Sequence, residues 1–283
     1  MSERQVLLTD VYEWLARELP LLRVSVGLSG HGMMPASALS DPRSAALAEL
    51  VGLQKRLFPG ADPRTEAAAA LGQYCYFLGL AVIAPYLHSG LIVDAAPGNL
   101  VYRLEPPDMP GPWRRYHMCW LSPEPAPAVV DGPPDAGQPA QQLLRSMLED
   151  HIGPLIAALR ERSRFGRDAQ WRIAGDSIAA AFLEIGKRLG EPQRAAGEAL
   201  AVLKQEGSPF CNRQLEFITL AVPGAQPDAP IEETFRLRGG CCRLYRLEGG
   251  TLCPTCVLAD RHWQRDELER FMREKSRAGQ HVG

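Results

Sequence analysis

The residues best suited to chemistry in this chain are cysteines close to its C-terminus. Four of the seven cysteines lie within sixteen residues, in the stretch RGGCCRLYRLEGGTLCPTC that spans 238–256: Cys241, Cys242, Cys253 and Cys256. Four clustered thiolates are able to hold one zinc ion or an iron–sulfur cluster. In a reducing compartment such a group is more often a metal site than a disulfide framework. The cluster therefore predicts a metal centre.

The spacing within the cluster bears on the kind of metal. Cys253 and Cys256 form the Cys-x2-Cys turn of a zinc knuckle, whereas Cys241 and Cys242 are adjacent and reach one tetrahedral ion only if the backbone bends sharply. A core of two irons and two sulfides is a wider target and relaxes that demand. Glycine pairs before each cysteine pair suit either group. Zinc and iron–sulfur both stay open, while a vicinal disulfide would leave the second pair unexplained.

Arginines surround the cysteines in the sequence: Arg236, Arg238, Arg243 and Arg246. Taken singly, each arginine is typical of a solvated strand face. Taken together, their permanent charges would favour the reduced form of an all-thiolate cluster, which gains negative charge on reduction. These four arginines and Tyr245 are the candidate contacts for a substrate near the cluster.

Composition excludes several classes of protein. The 283 residues are 46% hydrophobic and 23% charged with a formal net charge of −2, so no global field draws the chain to nucleic acid. The N-terminus has no apolar stretch followed by a cleavage site, which predicts a cytoplasmic protein. The three isolated cysteines are expected to be small buried hydrophobes: Cys75, Cys119 and Cys211.

The elements that must position the cysteines are mainly helical. Asp62-Pro63 predicts the start of a long helix whose apolar run, 67–87, is long enough to span a membrane but reads as a helix buried in a core. Residues 21–28 predict a strand, 90–104 a hairpin around Ala-Ala-Pro-Gly, and 113–121 a third strand. Helical periodicity returns at 141–156, 169–188, 195–204 and 260–275.

These elements predict an α+β fold that is mainly helical, with a small antiparallel sheet and a C-terminal iron–sulfur-binding segment. We expect two domains: a platform of helices and sheet at 1–206, and a metal-binding region at 207–283. Residues 105–139 contain ten prolines and are predicted to be irregular and exposed. The stretch from 207 to 230 is interrupted by prolines and predicts no element.

The Cys-Cys-x10-Cys-x2-Cys pattern resembles the FhuF-like ferric siderophore reductase family. The resemblance implies that Cys241, Cys242, Cys253 and Cys256 hold a [2Fe-2S] cluster in a cytoplasmic protein that reduces the Fe(III) of a siderophore. Leu87 to Leu104 and Leu148 to Trp171 are similar to passages in that family and in the C-terminal region of aerobactin-type siderophore synthetases.

His88 and Asn99 fall where those synthetases have residues near their nucleotide site, but this chain is too short to include their other catalytic region. We expect both residues to cap and cross-link a junction between helix and hairpin.

The resulting hypothesis is a cytoplasmic ferric-siderophore reductase. No Gly-x-Gly-x-x-Gly turn is found, so the electrons are expected from an external donor, a ferredoxin or a flavin-type reductase. The ferric siderophore is the expected substrate. The sequence predicts no nucleic-acid partner and no transmembrane span, and leaves peripheral membrane association open. Two alternatives remain: a structural zinc-binding module, and an iron–sulfur sensor or electron carrier in siderophore metabolism.

Overall fold

A computed structural model describes residues 2–27, 30–105, 114–124, 140–223 and 230–279. The fold is α+β and mainly helical, as predicted. In chain order its helices are α1 (Glu3–Glu18), α2 (Ala45–Leu57), α3 (Pro63–Ser89), α4 (Ala140–Ser163), α5 (Arg167–Arg188), α6 (Pro192–Leu203) and α7 (Arg261–Gly279). Helices α1 to α6, together with the four-stranded sheet described below, are called the helical body.

Helix α3 is the central packing element of the helical body. Asp62 caps it by accepting a hydrogen bond from the Thr65 backbone N–H at 2.7 Å, and Gly90 ends it in the left-handed conformation. The helix is long and apolar enough to cross a membrane, yet 78% of its apolar window is buried inside the protein. It packs closely on α5, where a Cβ at Gly79 would lie 2.9 Å from that of Ala181. These contacts match the predicted core helix.

One sheet of four strands lies in the helical body, with β1 (Leu22–Val26), β2 (Met34–Pro35), β3 (Leu100–Glu105) and β4 (Arg115–Trp120) in the order β1-β4-β3-β2. Strand β4 is antiparallel to β3 and parallel to β1. Much of the predicted irregular segment, 106–113 and 125–139, lies outside the described residues. Its remaining part contains β4, the third strand that the sequence predicted.

The predicted hairpin at 90–104 is wrong. Residues 97–99 form a short 3-10 turn that leads into β3, and β3 pairs with β4 and β2 instead of with residues 91–94. Asn99 explains the geometry, because its side chain donates to the Asp94 carbonyl at 2.9 Å and accepts from the Ser122 backbone N–H at 2.8 Å. Asn99 is a cross-link as expected, but it joins a loop to the end of β4. His88 is exposed at the end of α3 and contacts Ser89 and the Trp14 ring.

Two strands that the sequence did not predict follow the helical body. Strands β5 (Glu216–Val222) and β6 (Ile231–Leu237) form an antiparallel ribbon, and α7 packs on it. They share a small second core made of Leu220, Val222, Phe235, Leu237, Leu268 and Met272. Phe210 and Leu215 belong to the main core. The proposed division at residue 206 stays a prediction.

The isolated cysteines divide into two groups. Cys75 and Cys119 are fully buried, as predicted. Cys211 is exposed, so the prediction is wrong there: its thiol lies 3.8 Å from the Lys204 carbonyl, in the turn that follows α6.

Candidate metal centre

The predicted metal ligands lie in one loop between β6 and α7. We call residues 238–259 the cysteine segment. A backbone hydrogen bond of 3.0 Å from the Arg238 N–H to the Thr255 carbonyl joins the first residue of the cysteine segment to the turn that contains the second pair. The second pair is closed into a turn by the Cys256 N–H, which donates to the Cys253 carbonyl at 2.9 Å. The fold therefore places the start of the cysteine segment beside the second pair.

A sharp bend follows the adjacent cysteines. Arg243 has a φ of 65°, in the left-handed region that non-glycine residues rarely adopt, and a 3-10 turn at Leu244–Arg246 follows it. The chain therefore changes direction directly after Cys242. The Arg243 guanidinium holds this bend in place by donating to Asp62 Oδ2 at 2.7 Å and to Thr65 Oγ1 at 3.2 Å. The cysteine segment is thus tied to the N-terminus of α3.

Asp176 of α5 anchors the other end of the cysteine loop. Its carboxylate is fully buried and accepts the Gly239 N–H on Oδ1 and the Gly240 N–H on Oδ2, each at 2.8 Å. Burial raises the pKa of Asp176, although Arg236 and Arg238 act in the opposite direction. Sequence reasoning missed Asp176. Its signal was a single carboxylate in the small, apolar stretch AGDSIAAAF.

Close packing fixes the glycines that precede the cysteines. A Cβ on Gly240 would lie 2.9 Å from the backbone carbon of Arg172 and 2.9 Å from the nitrogen of Ile173. A Cβ on Gly239 would overlap the Asn212 amide. Only glycine allows the loop to lie directly on α5, so the position of Cys241 is set by backbone contacts.

The thiols of Cys241, Cys242 and Cys253 lie close enough to Cys256 to influence its pKa. Cys256 is buried and the other three are partly exposed. Burial raises the pKa of Cys256, and the nearby thiols of Cys253, Cys241 and Cys242 raise it further. In the part of the chain that the structure describes, no three cysteine, histidine or acidic side chains converge as they would around one metal ion. Four thiols on one short loop that is fixed from both sides are a donor set whose chemistry fits a [2Fe-2S] cluster.

The predicted substrate contacts have different surroundings. Burial lowers the pKa of Arg236 to about 10, while Asp176 and the thiols of Cys253 and Cys242 oppose that shift. Its guanidinium donates to the Asp176 carbonyl at 2.6 Å, and Arg238 Nε lies 3.6 Å from Asp176 Oδ2.

Arg243 is paired with Asp62, Tyr245 is partly exposed and Arg246 is exposed. A direct role of any of these five residues in substrate binding stays a prediction.

Two clefts lie beside the cysteine segment. The first, which we call the Cys241 groove, has a volume of about 330 Å³ and is lined by Cys241, Arg243, Arg172, Phe165 and Leu258 among others. The second has a volume of about 240 Å³, and its lining includes Arg236, Thr255, Lys187 and Glu184. The thiol of a predicted ligand thus borders the first cleft.

Comparison with known families agrees with this arrangement. The family described as ferric iron reductase FhuF-like transporter matches residues 71–216, more than half of the chain. The FhuF 2Fe-2S C-terminal domain matches residues 238–258, which contain all four clustered cysteines. A search of curated proteins finds no match to this chain. The C-terminal match supports a [2Fe-2S] cluster, in preference to zinc, and the two matches together show that the chain belongs to the FhuF-like ferric siderophore reductase family.

Proposed function

We propose that this protein is a cytoplasmic reductase that converts siderophore-bound Fe(III) to Fe(II). A [2Fe-2S] cluster supplies single electrons, and oxygen-donor siderophores release iron once its charge is lowered from Fe(III) to Fe(II). The observation that carries the proposal is the position of the thiols: Cys241 borders a surface groove, and Cys242 and Cys253 are partly exposed. An iron chelate in that groove would be next to a ligand of the cluster.

A positive charge and a fixed loop adjoin the predicted cluster ligands. Arg236 lies close enough to Cys242 and Cys253 for their charges to act on its pKa. The N–H groups of Gly239 and Gly240 donate to the Asp176 carboxylate. The loop is therefore fixed before an electron arrives, which reduces the reorganisation that transfer requires. No proton transfer or covalent intermediate is needed, because one electron leaves the protein and Fe(III) becomes Fe(II).

The test is a single-turnover measurement on anaerobically purified protein. After reduction with dithionite and removal of the excess, mixing with a ferric siderophore should restore the oxidised visible spectrum, and one Fe(II) per cluster should appear as its ferrozine complex. Cys242→Ser is the control that lacks a ligand. A cluster that is not reoxidised by any ferric siderophore would instead favour the sensor or carrier function.

The electron donor and the cellular location belong to the same proposal. A ferredoxin or a reduced flavoprotein would supply the electron, because the chain has no nucleotide-binding glycine turn. A cytoplasmic location agrees with a metal centre built from four clustered cysteines, because thiols in a reducing compartment bind metal more often than they form disulfides. Cell fractionation with an antibody against the native protein would test the location.

A further inference from the structure

The Cys241 groove combines a thiol, apolar walls and a free positive charge. Its apolar walls are formed by Phe165, Ala169, Val257 and Leu258. A volume of about 330 Å³ is at the lower end of the range for small-molecule sites. The second cleft has no lining cysteine, and its Lys187 is paired with Glu233 at 2.7 Å. Only the Cys241 groove, of these two, brings a ligand of the cluster to the surface beside an unpaired cation.

The unpaired cation is Arg172 of α5. Its side chain is exposed, lines the groove, and has no hydrogen-bond or ion-pair partner among the described residues. Its backbone lies against Gly240, so the guanidinium extends from a rigid point next to Cys241. Arg243, the other cation that lines the groove, already forms an ion pair with Asp62. Arg172 is therefore the group whose charge is available to a ligand.

The charged side chains that line the Cys241 groove, Arg172 and Arg243, are both positive. The buried Asp176 carboxylate accepts the N–H groups of two lining glycines, and Arg236 and Arg238 offset its charge. None of the described lining residues is acidic, and Gln214 is the remaining polar one. Exposed Arg164 and Arg213 adjoin the lining residues Phe165 and Gln214 in the chain, and Asp168 is the acid that adjoins Ala169. A neutral chelate would gain only the apolar contacts, whereas an anionic one would also gain the arginines.

We propose that the Cys241 groove binds ferric chelates of net negative charge, with Arg172 as the residue that selects for that charge. The inference rests on the proposed reductase function and specifies its substrate class: an oxygen-donor siderophore with free carboxylates. Arg172 holds the carboxylates, and the apolar walls cover the ligand backbone. The iron is then held near Cys241, and one electron passes from the reduced cluster to Fe(III).

The first experiment separates binding from reduction. Ga(III) has the charge and size of Fe(III) but is not reduced, so Ga(III) chelates report binding alone. We would titrate the oxidised holoprotein by calorimetry with Ga(III) complexes of aerobactin, which is anionic, ferrichrome, which is neutral, and ferrioxamine B, which is cationic. The anionic chelate should bind about tenfold or more tightly than the other two. Equal affinity for all three would overturn the inference.

The second experiment tests the residue. Arg172→Glu should weaken binding of the anionic Ga(III) chelate about tenfold or more and change the neutral one by less than about twofold. Arg172→Gln is the milder variant, with a smaller loss, if the reversal disturbs folding. The matched control is Arg17→Glu, at an exposed arginine of α1 that lies outside the lining of the groove. Identical losses in Arg172→Glu and the control would refute the assignment.

Reoxidation of the reduced protein distinguishes the two proposals. Ferric aerobactin should reoxidise the wild type faster than ferrichrome at equal low concentration. If both react equally fast, the groove inference is wrong and the reductase function stands. If the anionic Ga(III) chelate binds with the expected dependence on Arg172 but no ferric chelate reoxidises the cluster, the binding site stands and the reductase function falls.

Discussion

The helical body and the cysteine segment are held in shape by different forces. In the body, α3 is buried on nearly every side and packs on α5 through a large apolar core. In the cysteine segment, all of which the structure describes, only Gly239, Gly240 and Cys256 are buried. Its shape depends on Asp176, on the Arg243–Asp62 pair and on a few backbone hydrogen bonds. Stability and cofactor binding should therefore respond to different substitutions.

The largest difference between the two regions is expected from a substitution at Cys242, a predicted ligand of the cluster. Cys242→Ser should abolish the visible absorption of the cluster, because an all-cysteine [2Fe-2S] site needs four thiolates. The far-ultraviolet circular dichroism of the helical body should remain, since its core does not include this residue. Cys211→Ser, at an exposed cysteine outside the cysteine segment, is the control and should keep the cluster. A normal cluster spectrum in Cys242→Ser would remove this residue from the ligand set.

The same chemical change, glycine to alanine, should affect the cluster in one region and the stability of the helical body in the other. Gly240→Ala places a Cβ against the backbone of α5, which cannot move cheaply, and breaks the contact with Asp176. We expect a local cost of about 3 kcal/mol and a large loss of iron and sulfide per chain. Gly79→Ala crowds Ala181, and should lower the free energy of unfolding by about 1–2 kcal/mol with the cluster retained.

Gly98→Ala is the control for that pair, because nothing lies within 4 Å of its Cβ position. Iron and sulfide analysis reports on the cysteine segment, and urea unfolding followed by circular dichroism reports on the helical body. If Gly79→Ala and Gly240→Ala lost cluster and stability in the same proportion, the two regions would be one cooperative unit.

A buried histidine makes the helical body sensitive to mild acid. Burial lowers the pKa of His151 to about 4, although hydrogen bonding to the Ala95 carbonyl opposes the shift. Between about pH 6.5 and 4 the unfolded chain therefore binds the proton more readily, so stability is lost as the pH falls. From pH 7 to 5 the free energy of unfolding should drop by about 2 kcal/mol.

His151→Gln should remove most of the pH dependence of the free energy of unfolding, because glutamine does not titrate. The glutamine amide is able to replace the contact of His151 with the Ala95 carbonyl and its contact, at 2.8 Å, with the Tyr74 hydroxyl. Urea unfolding at several pH values measures how the free energy of unfolding changes with pH. His88→Gln, at an exposed histidine, keeps His151 and should keep the full dependence. An unchanged pH profile in His151→Gln would assign the acid sensitivity to another group.

The same contrast explains how much could be predicted from the sequence. Helices of the body were predictable because burial imposes a period of 3.6 and caps such as Asp62-Pro63 mark their starts. The cysteine spacing predicted a metal centre but left zinc and iron–sulfur open, and the four ligands stay a prediction. Asp176 could not be predicted, because its partners are backbone N–H groups 63 and 64 residues away. The hairpin failed for a similar reason: β3 pairs with β4 and β2, and local turn residues do not report such pairing.

The smallest effect is expected where the two regions meet. Asp62 both caps α3 and holds Arg243, so Asp62→Asn should retain the cap and lose only the ion pair. Because the Asp62 side chain is exposed, we expect a loss of only about 0.2–1 kcal/mol. Burial would raise the pKa of Asp62, but hydrogen bonds from Thr65 and Arg243 outweigh it and hold the pKa at about 2. The ionised carboxylate stabilises the fold fully at any pH above the pKa that Asp62 has in the unfolded chain. The free energy of unfolding that Asp62→Asn loses should therefore be constant from pH 5 to 8.

A double-mutant cycle isolates that ion pair. Arg243→Gln is combined with Asp62→Asn, and the coupling is read from the rate at which a chelator removes iron from the cysteine segment. Asp62→Asn alone should speed iron loss slightly and leave urea unfolding of the helical body almost unchanged, because Asn caps nearly as well as Asp. A coupling of zero would mean that the left-handed bend at Arg243 is held by the cluster and the neighbouring backbone, with no contribution from α3.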